Sequence, residues 1–166
     1  FWERGMNSYY DSLPSGEVAT VGNPTLYRSS VLRDHVLDDK FSANEDTDWC
    51  LRIREAGLKV IRSSSASAIE IETFRFNAVA RRWLWYGAGD LAFIQKWISE
   101  SPRKALRHLV HPSLEYLIRV PLNRVTRGDL SGALFSFVCW SLRTSGLISA
   151  LARGKRYGRN SSLVGR

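Results

Sequence analysis

The chain has 166 residues, of which 44% are hydrophobic, and its formal net charge is +8. This length is enough for one domain with a sizeable core, and the lack of internal repeats excludes a repeat protein. The charge is uneven, because residues 1–100 carry 12 Lys and Arg against 14 acids, whereas residues 101–166 carry 12 against only Glu115 and Asp129. Such asymmetry predicts a polyanionic partner, either nucleic acid or an anionic membrane surface.

Up to about residue 75 the pattern is mixed α/β. Residues 17–28 alternate apolar and polar side chains around a Gly-Asn-Pro turn, and a short helix is predicted at 30–37. Residues 58–61 (LKVI) follow a second helix. The strict alternation of residues 68–72 (AIEIE) predicts a strand with one face in water.

Three acids stand at the start of that second helix, in the segment FSANEDTDWCLRIREAGLKV at 41–60: Glu45, Asp46 and Asp48. Apolar residues recur at helical spacing over 46–56, and Gly57 occupies the place of a left-handed C-terminal cap. Acids in a first turn complement the helix dipole, and Asn44 or Asp46 can cap the free backbone N–H groups.

The three acids do not point the same way. At about 100° per residue Glu45 and Asp48 share a face, and Asp48 can pair with Arg52 one turn on, as a surface acid does. Asp46 points toward the line of Cys50, where no cation follows one turn on. Simple capping and a functional role are therefore both open for Asp46.

From about residue 77 the pattern is helical. Residues 79–98 are apolar on most sides, with Arg81 and Arg82 as their only adjacent cations. Proline positions predict the next helix boundaries: Ser101-Pro102 starts one helix, Pro112 starts another, and Pro121 stops it.

Metal-binding side chains are sparse. Cys50 and Cys139 belong to no CxxC or Cys/His spacing and are predicted to be buried thiols of a reducing compartment. His108 and His111 stand three apart without a third ligand nearby, so a solvent-facing pair is predicted over a metal site.

The last predicted helix, residues 130–152, begins after a capping Asp129 and carries one charge, Arg143. An arginine near the middle of a spanning helix costs about 2.5–3.5 kcal/mol on insertion scales, and small polar residues are frequent here, so spanning is disfavoured. Two alternatives stay open: a helix in the membrane interface between basic flanks, or a helix in the core of a bundle.

The order of these features resembles the second half of the inverting family-2 glycosyltransferases of the GT-A fold. The resemblance rests on GNPTLYRSSVL (22–32), FSANEDTDWCLRIREAGLKV (41–60), the strand AIEIE and ARRWLWYG (80–87). It implies an α/β fold class, with residues 1–76 as the acceptor-side part of a GT-A domain. Residues 77–166 are then a helical, basic, membrane-associated C-terminal region.

The resemblance also implies chemistry, namely transfer of a sugar from a nucleotide-sugar donor to an acceptor hydroxyl. Asp46 falls on the family's general-base position, and the helix N-terminus is expected to lower its proton affinity. The residues implied to bind the acceptor are Glu45, Gly22, Asn23 and Trp49. The residues implied to bind the leaving diphosphate are Arg82, Trp83 and Arg81.

Two departures from the family pattern narrow this expectation. Val79 stands where the Gln-x-x-Arg-Trp form has glutamine, which argues against processive polysaccharide synthesis. Glu70 and Glu72 stand near the place of a histidine often tied to metal. The family implies a divalent cation, Mg²⁺ or Mn²⁺, but the Asp-x-Asp ligand motif of its nucleotide-binding N-terminal half is not in this chain. The expectation is therefore the acceptor half of a longer enzyme, inactive without the donor half.

The implied partners are a nucleotide sugar, a sugar or lipid-linked acceptor, and the cytoplasmic face of the cell membrane, with no nucleic acid. The expected setting is cell-surface glycan or glycolipid assembly. The alternative is a non-catalytic basic helical module that binds anionic lipid or nucleic acid through the basic tail and its aromatics, Tyr116, Trp140 and Tyr157. The cations of the tail flank long apolar runs, which favours a bilayer over a duplex.

Overall fold

A computed structural model describes residues 15–20, 25–63 and 75–158. Their elements, in chain order, are β1 Gly16–Glu17, α1 Ser29–Asp34, α2 Glu45–Glu55, β2 Ile61–Arg62, α3 Phe76–Glu100, α4 Pro102–Leu114, a π-helical segment Glu115–Arg119, α5 Val120–Val125 and α6 Leu130–Ala152.

The strands form a two-stranded antiparallel sheet, with Gly16 opposite Arg62 and Glu17 opposite Ile61. The backbone N–H of Val18 extends the pairing by donating to the Val60 carbonyl at 2.9 Å. The predicted strand at 68–72 lies outside the described residues. The described chain is mostly helical, so the predicted α/β half of a GT-A fold stays a prediction.

Helix α2 buries Trp49, Cys50 and Ile53 in one cluster with Val60, against which Tyr27 and other apolar side chains pack. Gly57 ends the helix at φ +80°, in the left-handed region that the sequence predicted for it. Helix α1 is shorter than the predicted 30–37 and ends at Asp34.

Helices α3 and α6 cross with their main chains in direct contact. A Cβ atom on Gly87 would lie 1.9 Å from the Arg143 carbonyl oxygen, and one on Gly146 would lie 2.1 Å from the Leu84 carbonyl oxygen. No side chain fits in either gap. Glycine at both positions therefore sets how closely the two helices approach.

Pro102 starts α4 as predicted, but Pro112 and Pro121 do not divide the chain as predicted. Pro112 lies inside α4, and Pro121 lies in the first turn of α5 instead of stopping a helix. Between them the chain widens into the π-helical segment, in which hydrogen bonds span five residues. Proline lacks the N–H for an ordinary helical bond, but the helical path continues past both residues through this π-helical segment.

The predicted start and length of α6 are confirmed. The Asp129 carboxylate accepts the Gly132 N–H at 2.9 Å, and its other oxygen lies 3.0 Å from Nη1 of the buried Arg124. The hydrogen bond from Gly132 lowers the pKa of Asp129, with Arg124 acting in the same direction. Asp129 is therefore both a cap and an ion-pair partner.

Helix α6 is also, within the described residues, the one helix long and apolar enough to cross a membrane. Core helices of soluble proteins meet the same criterion. Here 28% of its most apolar stretch is buried, and one stripe of apolar side chains points outward. The stripe consists of Leu130, Leu134, Phe137, Ile148 and Leu151.

The C-terminal segment after α6 returns to α3. Gln95 donates to the Lys155 carbonyl at 2.9 Å and accepts the Tyr157 N–H at 2.6 Å. The Tyr157 hydroxyl donates to Asp38, and its ring packs 5.1 Å from that of Phe41. The C-terminal region thereby contacts the loop in front of α2, so the two predicted parts pack as neighbours.

Gly146→Ala tests the helix crossing. Alanine is a better helix former by about 0.8–1.0 kcal/mol, but overpacking costs about 1–3 kcal/mol where a Cβ meets backbone. We expect the free energy of unfolding to fall by about 1 kcal/mol or more in chemical denaturation. Ser149→Ala, on an exposed face of the same helix, is the control and should cause no loss. Equal stability of the two variants would contradict the close crossing.

Candidate active site

Helix α2 begins from an unusual backbone position. Asn44, the residue before the helix, has φ +66° and is the only described non-glycine residue with positive φ. Its side chain makes no capping bond, so the predicted cap is wrong for Asn44. Instead its amide nitrogen donates to Asp90 of α3 at 2.9 Å, because the left-handed backbone turns the side chain away from the helix.

Asp90 joins several elements at one buried carboxylate. Arg143 of α6 binds it with both Nε and Nη2 at 2.6 Å, and His108 Nε2 of α4 lies 2.8 Å from Oδ1. Burial opposes ionisation of Asp90, but the hydrogen bonds from Arg143 and His108 outweigh it and lower the pKa of this carboxyl. The predicted solvent-facing histidine pair is therefore wrong for His108, while His111 is exposed.

Asp46 lies in the first turn of α2 and is half-buried. Its Oδ1 accepts the backbone N–H of Thr47 at 2.6 Å and lies 3.3 Å from the Thr47 hydroxyl. Burial raises the pKa of Asp46, opposed by these bonds and by the charge of Arg143. The expectation that Asp46 would have a lowered proton affinity is wrong, because desolvation outweighs the hydrogen bonds and the charge that lower its pKa.

Glu45 is half-buried beside Asp46, and Tyr27 faces both acids. Burial raises the pKa of Tyr27, and the negative charges of Asp46 and Glu45 add to that effect. Trp49 is 3% exposed, donates its indole N–H to the His35 carbonyl and meets the Tyr27 ring edge-on at 4.9 Å. Trp49 is thus a core residue of this cluster, and its contact with an acceptor stays a prediction.

Asp48 is fully buried. The predicted pair with Arg52 is confirmed at 2.9 Å, but Asp48 is not the surface acid expected from the sequence. Its Oδ1 also lies 2.8 Å from the Lys96 ammonium and accepts the Trp97 indole N–H at 2.9 Å. Both partners come from α3, so Asp48 ties the acidic helix to the long helix.

The predicted diphosphate residues lie within α3, past its first turn. Arg81 is exposed, Arg82 is half-buried, and Trp83 is 5% exposed between the Tyr86 and Tyr116 rings. The two arginines therefore point in different directions, as their spacing predicted. Their contacts with a diphosphate stay predictions.

Two predicted acceptor residues, Gly22 and Asn23, lie outside the described residues. Within the described ranges no group of three or more His, Cys, Asp or Glu side chains could hold a metal ion. The described residues therefore offer no site for the divalent cation that the resemblance implies, and that cation stays a prediction.

An acidic first turn, a buried carboxylate network behind it and an arginine-tryptophan pair on the next helix thus occupy neighbouring elements. A family model described as glycosyl transferase family group 2 matches residues 1–152. The chain belongs to this glycosyltransferase family. No curated protein and no solved structure matches the chain.

For this glycosyltransferase, local sequence patterns did not predict the Asp90 network. The single charge of Arg143 argued against a spanning helix and indicated no partnership with Asp90. A signal was present in the sequence, because each is an isolated charge inside a long apolar helix. Such charges are buried only when they are paired.

Asp48→Asn tests the tie between α2 and α3. Breaking a buried ion pair costs about 3–5 kcal/mol, and the lower end applies because Lys96 keeps its second partner, Asp38, at 2.9 Å. We expect the free energy of unfolding to fall by about 3 kcal/mol in denaturant titration. The control is Glu55→Gln on α2, which weakens an exposed ion pair with Lys104 of α4. It should cost less than about 1 kcal/mol. Similar small losses in both variants would contradict a structural role for Asp48.

Proposed function

We propose that the chain is the acceptor-binding half of an inverting, GT-A-type glycosyltransferase with Asp46 as the general base. One observation carries the assignment. Asp48 and Asp90 accept hydrogen bonds from cationic side chains, whereas in the described part of the chain Asp46 accepts hydrogen bonds only from Thr47 and from its own backbone N–H. Asp46 is thus the one of these three aspartates whose carboxylate is not neutralised by a hydrogen-bonded cation.

The proposed reaction is a single displacement. The Asp46 carboxylate takes the proton of the acceptor hydroxyl as its oxygen attacks the anomeric carbon of the nucleotide sugar. The new carbon–oxygen bond forms on the face opposite the bond to the leaving nucleotide diphosphate, so the configuration inverts. Burial makes Asp46 more basic than an exposed aspartate, which favours proton transfer.

The other predicted contacts belong to the same proposal. Glu45 lies next to Asp46 and shapes the acceptor site, together with Gly22, Asn23 and Trp49. In this proposal Arg82 neutralises the departing diphosphate, and its position next to Trp83 and its lower exposure than Arg81 support that choice. The donor half and any divalent cation are contributed by the longer enzyme, so no residue here is given a metal.

We also propose that the helical region rests on the anionic cytoplasmic face of a membrane. The outward stripe of α6 is apolar, and α4 exposes Leu106, Leu109, Val110 and Leu114 beside the exposed Arg103 and Arg107. Apolar faces with basic neighbours suit an anionic bilayer interface. Nucleic acid would need a continuous polar, basic face, which these helices do not offer.

Asp46→Asn in the full-length enzyme tests the base. Asparagine keeps the shape and cannot take the proton, so we expect turnover to fall by about 10²–10⁴-fold while thermal unfolding is unchanged. The wild-type enzyme should lose kcat/KM as the pH falls through the raised pKa of Asp46, because only the ionised carboxylate is a base.

Asp39→Asn is the control, since Asp39 is an exposed acid in the loop before α2. Transfer to the acceptor at the wild-type rate by Asp46→Asn would refute the assignment of Asp46.

Leu134→Ser/Leu151→Ser tests membrane contact. Deleting residues 129–166 is unsuitable because it removes Arg143 and leaves Asp90 buried without its ion pair. The double substitution removes two exposed apolar side chains and leaves the core intact. Each buried Leu contributes about 1.5–3 kcal/mol, so we expect at least a tenfold loss of binding to anionic vesicles in co-sedimentation.

Ser149→Ala is the control for an exposed polar site on the same helix. Vesicle binding unchanged by the double substitution would show that the anchor lies elsewhere. A salt-sensitive complex with duplex DNA and no vesicle binding would favour the non-catalytic nucleic-acid module.

A further inference from the structure

The position of Asp46 depends on the start of its helix. Within the described residues its carboxylate accepts hydrogen bonds only from the adjacent Thr47 and from its own backbone N–H, so no distant group holds the carboxylate directly. The backbone N–H of Asp48 donates to the Asn44 carbonyl at 3.0 Å, which makes Asn44 the acceptor that closes the first turn. Whatever fixes Asn44 therefore fixes Asp46.

Asn44 is fixed from behind by α3. Its amide donates to Asp90 at 2.9 Å, and the preceding Ala43 is fully buried against Gly89. A Cβ atom on Gly89 would lie 2.6 Å from that of Ala43, so the loop rests directly on the helix backbone. A left-handed backbone at a non-glycine residue is strained and persists only where its surroundings hold it.

Asp90 can hold Asn44 because it is itself immobilised. Two bonds from Arg143 set the plane of the carboxylate, and His108, whose ring stacks on Phe93 at 3.9 Å, approaches Oδ1 from α4. The side chain of Asp90 is 7% exposed and that of Arg143 is 15% exposed. A buried bidentate pair of this kind leaves little rotational freedom.

We propose that Asn44, Asp90 and Arg143 form a positioning network that holds Asp46 at the acceptor and sets the charge around it. This inference rests on the proposed function of Asp46. Arg143 supplies the positive charge that acts on Asp46 from α6, and Asp90 offsets part of that charge. The network thus links the catalytic turn to the apolar helix of the C-terminal region.

Several charged or titratable groups face Asp46 and bear on any pH test. Glu45 and Asp48 lie on its own helix, Tyr27 comes from the preceding segment, and Arg143 comes from α6. Asp90 and His108 act through Arg143. Removing Arg143 should therefore raise the pKa of Asp46, and removing the negative charge of Asp90 should lower it.

Asn44→Gly in the full-length enzyme is the deciding variant. Glycine keeps the left-handed backbone and leaves the buried ion pair intact, but it removes the amide that reaches Asp90. We expect kcat to fall by about 10–100-fold with little change in the donor KM, because the base is misplaced while donor binding is not. Turnover within about twofold of wild type would overturn the proposal.

The pH profile of kcat/KM separates positioning and charge from a merely structural role. Arg143→Met should move the acidic limb to higher pH, and Asp90→Asn should move it to lower pH. His108→Gln keeps a donor to Asp90 and removes the imidazole, so the limb should persist if it belongs to Asp46. If Arg143→Met and Asp90→Asn both slow turnover but do not shift the acidic limb in opposite directions, the network does not set the charge around Asp46.

Arg124→Met is the matched control, because Arg124 is a buried arginine paired with an aspartate elsewhere in the bundle. It should lower stability without moving the limb. Circular dichroism melting checks that each variant folds. If Arg143→Met or Asp90→Asn does not fold, the turnover of Asn44→Gly alone tests the network. Full activity of Asp46→Asn would refute Asp46 as the general base. An inactive Asp46→Asn together with a fully active Asn44→Gly would refute only the positioning network.

Discussion

The arrangement of the molecule depends on the buried ion pair between Asp90 and Arg143. Each charge sits in the middle of an apolar helix, where it would be costly without its partner, so α3 and α6 can pack in only one register. Such a pair adds little net stability compared with an apolar contact, because both ions lose their water. Its effect here is specificity, since any slip between the helices would strand two buried charges.

The glycines make that pair geometrically possible. Gly87 and Gly146 let the main chains of α3 and α6 touch, and Arg143 lies three residues before Gly146. At that separation the guanidinium can reach Asp90 side-on with two hydrogen bonds instead of extending along the helix. The close crossing and the bidentate pair therefore support each other, and changing one would displace the other.

The sequence predicts the elements better than it predicts their contacts. The acidic helix with its terminal Gly57, the cap at Asp129 and the long apolar helices follow from local rules that act within a few residues. Other features depend on distant side chains. The left-handed backbone of Asn44 and the burial of Asp48 depend on side chains 46 or more residues away, and the inward position of His108 depends on a residue of another helix. Local pattern also fails for Pro112 and Pro121, because the helical path continues past both residues through a π-helical segment between them.

The three acids at the start of α2 differ through their surroundings and not through their type. Asp48 faces α3 and is neutralised by Lys96 and Arg52, so it stays a structural anion. Asp46, two residues earlier, is half-buried and in the described chain accepts hydrogen bonds only from its neighbour Thr47 and its own backbone N–H, and burial raises its pKa. Since a carboxylate that is neutralised by a close cation is a poor base, the cations that α3 directs to Asp48 and α6 directs to Asp90 are what leave Asp46, of these three aspartates, as the reactive group. The helical region thereby determines which acid of the cluster can do chemistry, even though none of its side chains bonds to that acid in the described structure.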